Sequence, residues 1–443
     1  MNVMKKVLIL SFYYPPAGGV SVFRPLSWAK YFHKYGFTPV VISRHWNGNE
    51  VNWEDYQKEI NDKIKTVENK NSKTIYLPYK KNPYLKAGEK KWMQRSGLNK
   101  FIYPFLAVRG YFQPEVDAYN CYKDFLFEHL KTEKYELLII TVPPLGLIRL
   151  ASEISNRFNI PFVVDFQDSW DNRILGEGYV PNFMDRSYNF LMRSYLRKWL
   201  KKALFITTVT PAIAEHLKKT SNTPIEIITN GFDPEMYREK DMQLAKEFFN
   251  VSVMGTIHPM QDITIMLEGL NLFLKDKNPE TLKLNFVGTS SFPEILQKIK
   301  TSLPAEFLNI SPRVNMLRSA ELTLAANILL FPSYKGFKGY YTAKIFEYLG
   351  SGRNILMVPG NKDIVEDLIK KTKTGKIANT PKEFSEMLNT WYSEWQQTGT
   401  LKYEGIEKEI NFFTRENQSR LFCNAIKKYL ALTCIMLFYI LPH

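Results

Sequence analysis

Lys344 and Glu347 stand three residues apart, just after a loop that carries Lys335, Gly336, Lys338 and Gly339. On a helix that spacing sets an ammonium and a carboxylate on one face. A helix start beside a glycine-bearing loop receives anions, because unpaired N–H groups and the dipole point at them. The lysines add charge, and Glu347, one turn in, is placed to accept from sugar hydroxyls such as those of ribose. Four further groups have the makings of a site. Gly18-Gly19 follows an apolar run and precedes Arg24, while Gly255-Thr256 and Gly288 follow two more such runs. Glycine there lets the backbone approach a phosphate closely. Asp165, Gln167 and Asp168 close a fourth run, polar residues where a site should lie. A turn-capping role for Asp165 and Asp168, or pairing with Arg173, is the plainer alternative.

The elements that must position these residues are short apolar runs alternating with amphipathic stretches, which predicts α/β units with parallel sheets. Strands are expected at Val7–Leu10, Val40–Ser43, Leu137–Thr141, Phe162–Phe166, Phe205–Val209 and Ile225–Ile228. A second series runs through Val251–Met254, Leu284–Val287, Leu329–Phe331, Ile355–Val358 and a short piece at Gly375–Ala378. Helices are expected through Leu26–Phe32, Leu147–Ile154, Ile213–Leu217, Ile263–Leu270, Ala320–Ala326 and Ile364–Ile369, and from Thr342, ending at Gly350 and Gly352. Each candidate residue then falls at a strand's carboxyl end, where open α/β sheets bind ligands.

Several of these segments resemble family 4 retaining glycosyltransferases of the GT-B fold. Lys344-Ile-Phe-Glu347-Tyr-Leu-Gly-Ser-Gly is similar to the family's donor-binding motif, and Tyr13-Tyr-Pro-Pro-Ala-Gly-Gly19 to its opening. Asp165-Phe-Gln-Asp168-Ser-Trp170 resembles the block D-F-R-D-x-W, and Asn230-Gly-Phe-Asp233 the block that closes the first domain, although Asn230-Gly231 alone also fits a tight turn. The pattern departs from the family at three places. Gly339 occupies the position of the first of two paired glutamates, Gln167 replaces an arginine, and Gln261-Asp262 stands where a basic residue follows the Gly255 turn.

The resemblance implies two doubly wound Rossmann-like domains facing each other across a cleft that holds the site. The expected divisions are an N-terminal acceptor-side domain over 1–233, with a basic aromatic insertion at about 45–135, and a linker at 234–246. A nucleotide-sugar domain follows over 247–411, and a helix with an apolar tail, 412–443, crosses back. It implies a nucleotide-sugar donor, most often UDP-linked, no cofactor and no bridging metal, since no D-x-D motif is present. Lys344 would meet the diphosphate and Glu347 the ribose. Gly18, Gly19, Gly255, Thr256 and Gly288 would line the donor, with Arg24, Asp165 and Asp168 on the acceptor side. Asp168, Lys344 and Glu347 form the expected catalytic set. His258 is either a loop histidine or a participant.

Size and composition fit a two-domain protein: 443 residues, 45% hydrophobic and 23% charged. Three cysteines without metal spacing suit a reducing compartment. The first residues read as a strand rather than a leader, and no run reaches the length needed to span a bilayer. The net charge of +15 needs a partner. No nucleic-acid-binding pattern appears, so an anionic membrane surface is the expected one. Lys80 to Arg109 holds eight Lys/Arg and one Glu among aromatics, and Tyr188 to Lys202 is a second basic aromatic element. Both suit a peripheral protein on the inner face of the cell membrane with a lipid-linked or polysaccharide acceptor. An inactive binding protein of the same fold and a sugar-nucleotide epimerase are the alternatives.

Overall fold

The computed structural model describes residues 4–48, 58–60, 62–80, 116–171, 183–237 and 247–440. Two compact units result: one contains the chain as far as Thr229 and again from Gln418, the other Asn230–Asn417.

The first unit is built on eight strands: β1 (Lys5–Leu10), β2 (Phe37–Arg44), β3 (Lys65–Asn69), β4 (Ser72–Leu77), β5 (Leu137–Val142), β6 (Phe162–Phe166), β7 (Ala203–Thr208) and β8 (Ile225–Ile227). Their order across the sheet is β3-β4-β2-β1-β5-β6-β7-β8. All neighbours are parallel except β3 against β4. β1 and β5 are buried along their apolar runs, as a sheet covered on both faces requires. Helices Phe23–Tyr31 and Gly146–Phe158 cover it, and Phe422 and Ile426 of the final helix pack into the same core, Phe422 against Trp28 at 4.9 Å.

The sheet extends into the stretch read from sequence as an insertion. β4 pairs with β2 from Val40↔Lys73 to Arg44↔Leu77, and the helix Val116–Thr132 follows. Val67 is the one apolar residue of β3, and the strand's residues are exposed or half-buried on a polar edge. Most of the basic aromatic run expected at Lys80–Arg109 lies outside the described residues. So do Arg173 and linker residues 238–246.

The second unit has six parallel strands: β9 (Phe249–Met254), β10 (Leu282–Val287), β11 (Leu308–Ser311), β12 (Ile328–Pro332), β13 (Asn354–Val358) and β14 (Gly375–Ile377), ordered β11-β10-β9-β12-β13-β14. Numbered within the unit this is 3-2-1-4-5-6, the doubly wound order in which the winding reverses between the first and fourth strands. β9 and β12 pair only at Ile328↔Val251 and Leu329↔Ser252, then part. The reversal in the first unit falls between β1 and β5. Both units therefore open a crevice at their carboxyl ends. In one it is flanked by Gly18-Gly19, in the other by Gly255 and the loop after Pro332.

Helix boundaries differ from expectation at one instructive place. The helix Ala343–Ser351 runs through Gly350 and is closed by Gly352, whose φ is +65°. Gly350 is instead the place where the Phe232 ring lies against the helix, so that a β-carbon there would collide with the ring.

Candidate active site

In the second unit, the crevice is assembled by the helix Ala343–Ser351. Tyr348 is fully buried. Its hydroxyl accepts from the Met254 N–H at 2.9 Å and donates to the Leu330 carbonyl at 3.3 Å. It thereby satisfies backbone groups where β9 and β12 have parted, and it fixes the helix over the gap. The sequence motif contained Tyr348, yet nothing in its spacing singled that residue out.

Lys344 lies one turn earlier. Its Nζ donates to the Thr256 carbonyl at 3.2 Å. Gly255 has φ +77°, and a β-carbon there would stand 3.4 Å from Lys344 Cε. This glycine both makes the turn and leaves room for the lysine. Gly288, also at φ +77°, packs against it, with its β-carbon position 3.3 Å from Gly255 Cα. The Thr256 hydroxyl donates to the Gly288 carbonyl at 3.3 Å. Lys344, Gly255, Thr256 and Gly288 thus lie together.

Burial pushes the Lys344 ammonium down to about 8, with Glu347 opposing part of that shift. Burial likewise raises the Glu347 carboxyl, and Arg415 and Lys344 hold it partly down. Arg415 is a residue that sequence reading missed. It is buried, and its Nε donates to the Gly231 carbonyl at 3.0 Å. Its signal was faint: one arginine in the Phe412-Phe-Thr-Arg-Glu run. The turn Asn230–Asp233 is tied to that run, because Phe232 N–H donates to Phe413 O at 3.1 Å and Arg415 N–H to Phe232 O at 2.7 Å.

The three departures from the family pattern each have a structural counterpart. Gly339 sits at φ +73° with its N–H donating to Asp363 Oδ2 at 2.8 Å. A glutamate there would pay for a left-handed backbone, so the missing carboxylate is written into the loop. Gln261 is buried. Its Nε2 donates to the Pro332 carbonyl at 2.6 Å and its Oε1 accepts from the His258 N–H at 2.9 Å, so it braces the loop rather than facing a ligand. His258 is held in the same loop, with Nδ1 accepting from Met260 N–H at 3.2 Å and its ring edge-on to Phe292. Gln167, in the first unit, is buried and donates to the Ser21 carbonyl at 3.1 Å.

The first unit treats its charges differently. Arg24 grips Asp165 with Nε to Oδ2 at 2.9 Å and Nη2 to Oδ1 at 2.6 Å. Nη1 donates to the carbonyls of Ile228 and Thr229, at 2.8 and 3.0 Å, and Thr207 adds a bond to Asp165 Oδ1 at 2.6 Å. Both side chains are buried. Arg24 and Asp165, expected on the acceptor side, spend their hydrogen-bonding capacity on tying β6, β7 and the turn after β8 to the helix Phe23–Tyr31. Asp165 pairs with Arg24, while the pairing with Arg173 weighed from sequence involves a residue outside the described ones. Asp168 is half-buried beyond the end of β6. Gly19 has φ +99°, and β-carbons at Gly18 and Gly19 would meet only open space, so the backbone there is accessible to a close approach.

No protein-family model matches the chain, and no curated protein matches it by sequence. Solved structures do match. A sucrose-phosphate synthase from Thermosynechococcus elongatus superposes with a TM-score of 0.61 at 12% identity, covering 97% of this chain and 100% of that one. A glycosyltransferase from Rickettsia africae gives 0.60 at 14% identity over 96% and 99% of the two chains. The HepE protein of Anabaena, solved with UDP and glucose, gives 0.57 at 12% identity over 96% and 100%. These likenesses show the fold, which is GT-B, with a Rossmann-like sheet in each unit.

Proposed function

We propose that this chain is a glycosyltransferase that moves a sugar from a nucleoside-diphosphate donor, UDP-linked, to a sugar-bearing acceptor. One arrangement carries the proposal: Lys344 poised over the Gly255 turn with Glu347 one helical turn below, at the reversal point of a 3-2-1-4-5-6 sheet. A desolvated, only partly neutralised ammonium beside two glycine turns is complementary to a diphosphate. It gains most when negative charge builds on the departing group, which is where preorganised charge accelerates a reaction. Glu347, held between Arg415 and Lys344, accepts from the ribose hydroxyls. UDP is the nucleotide named with the Anabaena structure.

The remaining assignments rest on the sequence resemblance. Transfer proceeds with retention, and the leaving-group charge falls on Lys344 and the helix start rather than on a bridging metal. Gly18 and Gly19 admit a phosphate, and Asp168 faces the acceptor hydroxyl. Since Arg24 and Asp165 are bonded to each other, they support this side as framework. The acceptor is a lipid-linked or polysaccharide chain in bacterial surface polysaccharide assembly, and the protein works in the cytoplasm on the inner face of the membrane. No helix among the described residues is long and apolar enough to cross a membrane, so contact would be peripheral.

The test is nucleotide release from a panel of UDP-, GDP- and ADP-sugars with membrane extract as acceptor, alongside Lys344→Ala and Glu347→Ala. Release from one donor, lost in both variants, is the expected result. Donor binding without turnover of any sugar would replace this reading with that of a nucleotide-sugar-binding protein, which the Gly339 backbone and the braced Gln261 favour.

A further inference from the structure

The first unit carries a second cationic site at the opposite end of its sheet from Gly18 and Asp168. A groove of about 450 Å³ is lined by Arg197 and Lys201, at and beyond the end of the helix Phe183–Leu200, and by Thr220, Asn222 and Thr223. It lies where β7 and β8 begin, at their amino ends, because Ala203 and Pro224 also line it. No acidic residue lines the groove, and among the described residues neither cation has a carboxylate partner. Arg197 is oriented by its Nε, which donates to the Thr220 carbonyl at 3.2 Å. The Thr220 side chain is 1% exposed, and its hydroxyl has no hydrogen-bond partner. A buried hydroxyl left unpaired beside two cations that lack a carboxylate costs free energy, and an anion in the groove supplies the missing acceptor and counter-charge.

The helix that ends at this groove also shows what carries the anion. Phe190 is 74% exposed on it and Tyr195 40% exposed. Trp199 stacks on Tyr195 at 5.3 Å, and Arg186, Lys198 and Lys202 are exposed around them. Aromatic side chains ringed by cations are complementary to an anionic bilayer surface, with rings at the acyl boundary and cations among the phosphates.

We propose that the helix Phe183–Leu200 lies on an anionic membrane and that the groove at its end binds the phosphate of a phospholipid headgroup. The inference rests on the membrane reading above and adds a specific lipid site to it. That lipid is an anchor and not the acceptor, since the groove faces away from the strand ends that carry Gly18 and Asp168.

The experiment is co-sedimentation of the full chain with vesicles of phosphatidylcholine alone and with added phosphatidylglycerol. The comparison set is Arg197→Gln/Lys201→Gln and, separately, Phe190→Ser. Wild type is expected to bind only the anionic vesicles. The double variant should bind them roughly 30-fold more weakly, the loss of about two basic contacts at such a surface, with its melting temperature and nucleotide release unchanged. Undiminished binding by the double variant, with binding lost in Phe190→Ser, would overturn the groove while leaving the membrane face standing. Failure of wild type to sediment with either vesicle would overturn both. Inorganic phosphate that raises the wild-type melting temperature but not the double variant's, without vesicle binding, would make the groove a site for soluble phosphates and overturn the lipid assignment.

Discussion

The two units bury charge in opposite ways. In the first, Arg24 and Asp165 make a bidentate pair whose remaining capacity goes to Thr207 and two backbone carbonyls. In the second, Lys344 has one carbonyl partner and a carboxylate a turn away, and burial shifts both charged groups toward neutrality. Under the proposed function, the difference separates framework from site. A buried charge with every bond made holds elements together and has nothing to offer a ligand. A buried charge left short of partners costs stability in the free protein and returns that cost when an anion arrives.

Breaking the saturated pair should have the largest effect. Asp165→Ala strands the Arg24 guanidinium and is expected to lower unfolding stability by about 3–5 kcal/mol in urea titrations. The double variant Arg24→Met/Asp165→Leu should recover much of that loss. If Asp165→Ala folded as well as wild type and altered only the acceptor requirement, Asp165 would be an acceptor-site residue and not framework.

Lys344→Ala should leave the melting temperature near wild type and reduce transfer by roughly 10²–10³-fold, the scale of removing one preorganised charge-stabilising donor. Tyr348→Phe leaves the Met254 N–H unpaired where β9 and β12 part. It should cost about 1–3 kcal/mol and reduce donor affinity, as seen by isothermal titration, because the helix loses its anchor.

The smallest effects are in pH dependence. The Lys344 ammonium titrates near 8 in the free protein, so kcat/KM for the donor should fall as pH rises through about 8. Because burial raises the Glu347 carboxyl, the acid limb should lie above the ordinary glutamate range. Stability runs the other way. The folded value near 8 lies below the ordinary lysine value of 10.5, so the burial penalty is in force below pH 8 and is relieved between pH 8 and 10.5. Lys344→Met should therefore be more stable than wild type at pH 7, by about 1–2 kcal/mol, with the gain fading toward pH 10. Chemical denaturation at both pH values checks the sign.

Much of this protein was legible in its residues. Strands such as Leu137–Val142 and Asn354–Val358 are buried on both faces, and a continuous apolar run bounded by Pro or Gly leaves little room for another reading. Lys344, Glu347, Gly255 and Gly288 could be nominated because glycine and charge at strand ends are costly without a purpose. The edge strand β3 could not, since a polar solvent-facing strand has no apolar signal, and Arg415 could not, since one arginine in a polar run looks like surface.

What the tertiary structure alone decided is which charges meet. Arg24 and Asp165 are separated by more than half of the first unit's sequence, yet β6 and the helix after β1 bring them into one bidentate contact. Sequence nominated both for a ligand, because residue type and strand-end position are local properties. Whether a charge is already satisfied depends on groups brought near it by sheet order, and sheet order is settled by the packing of the whole unit.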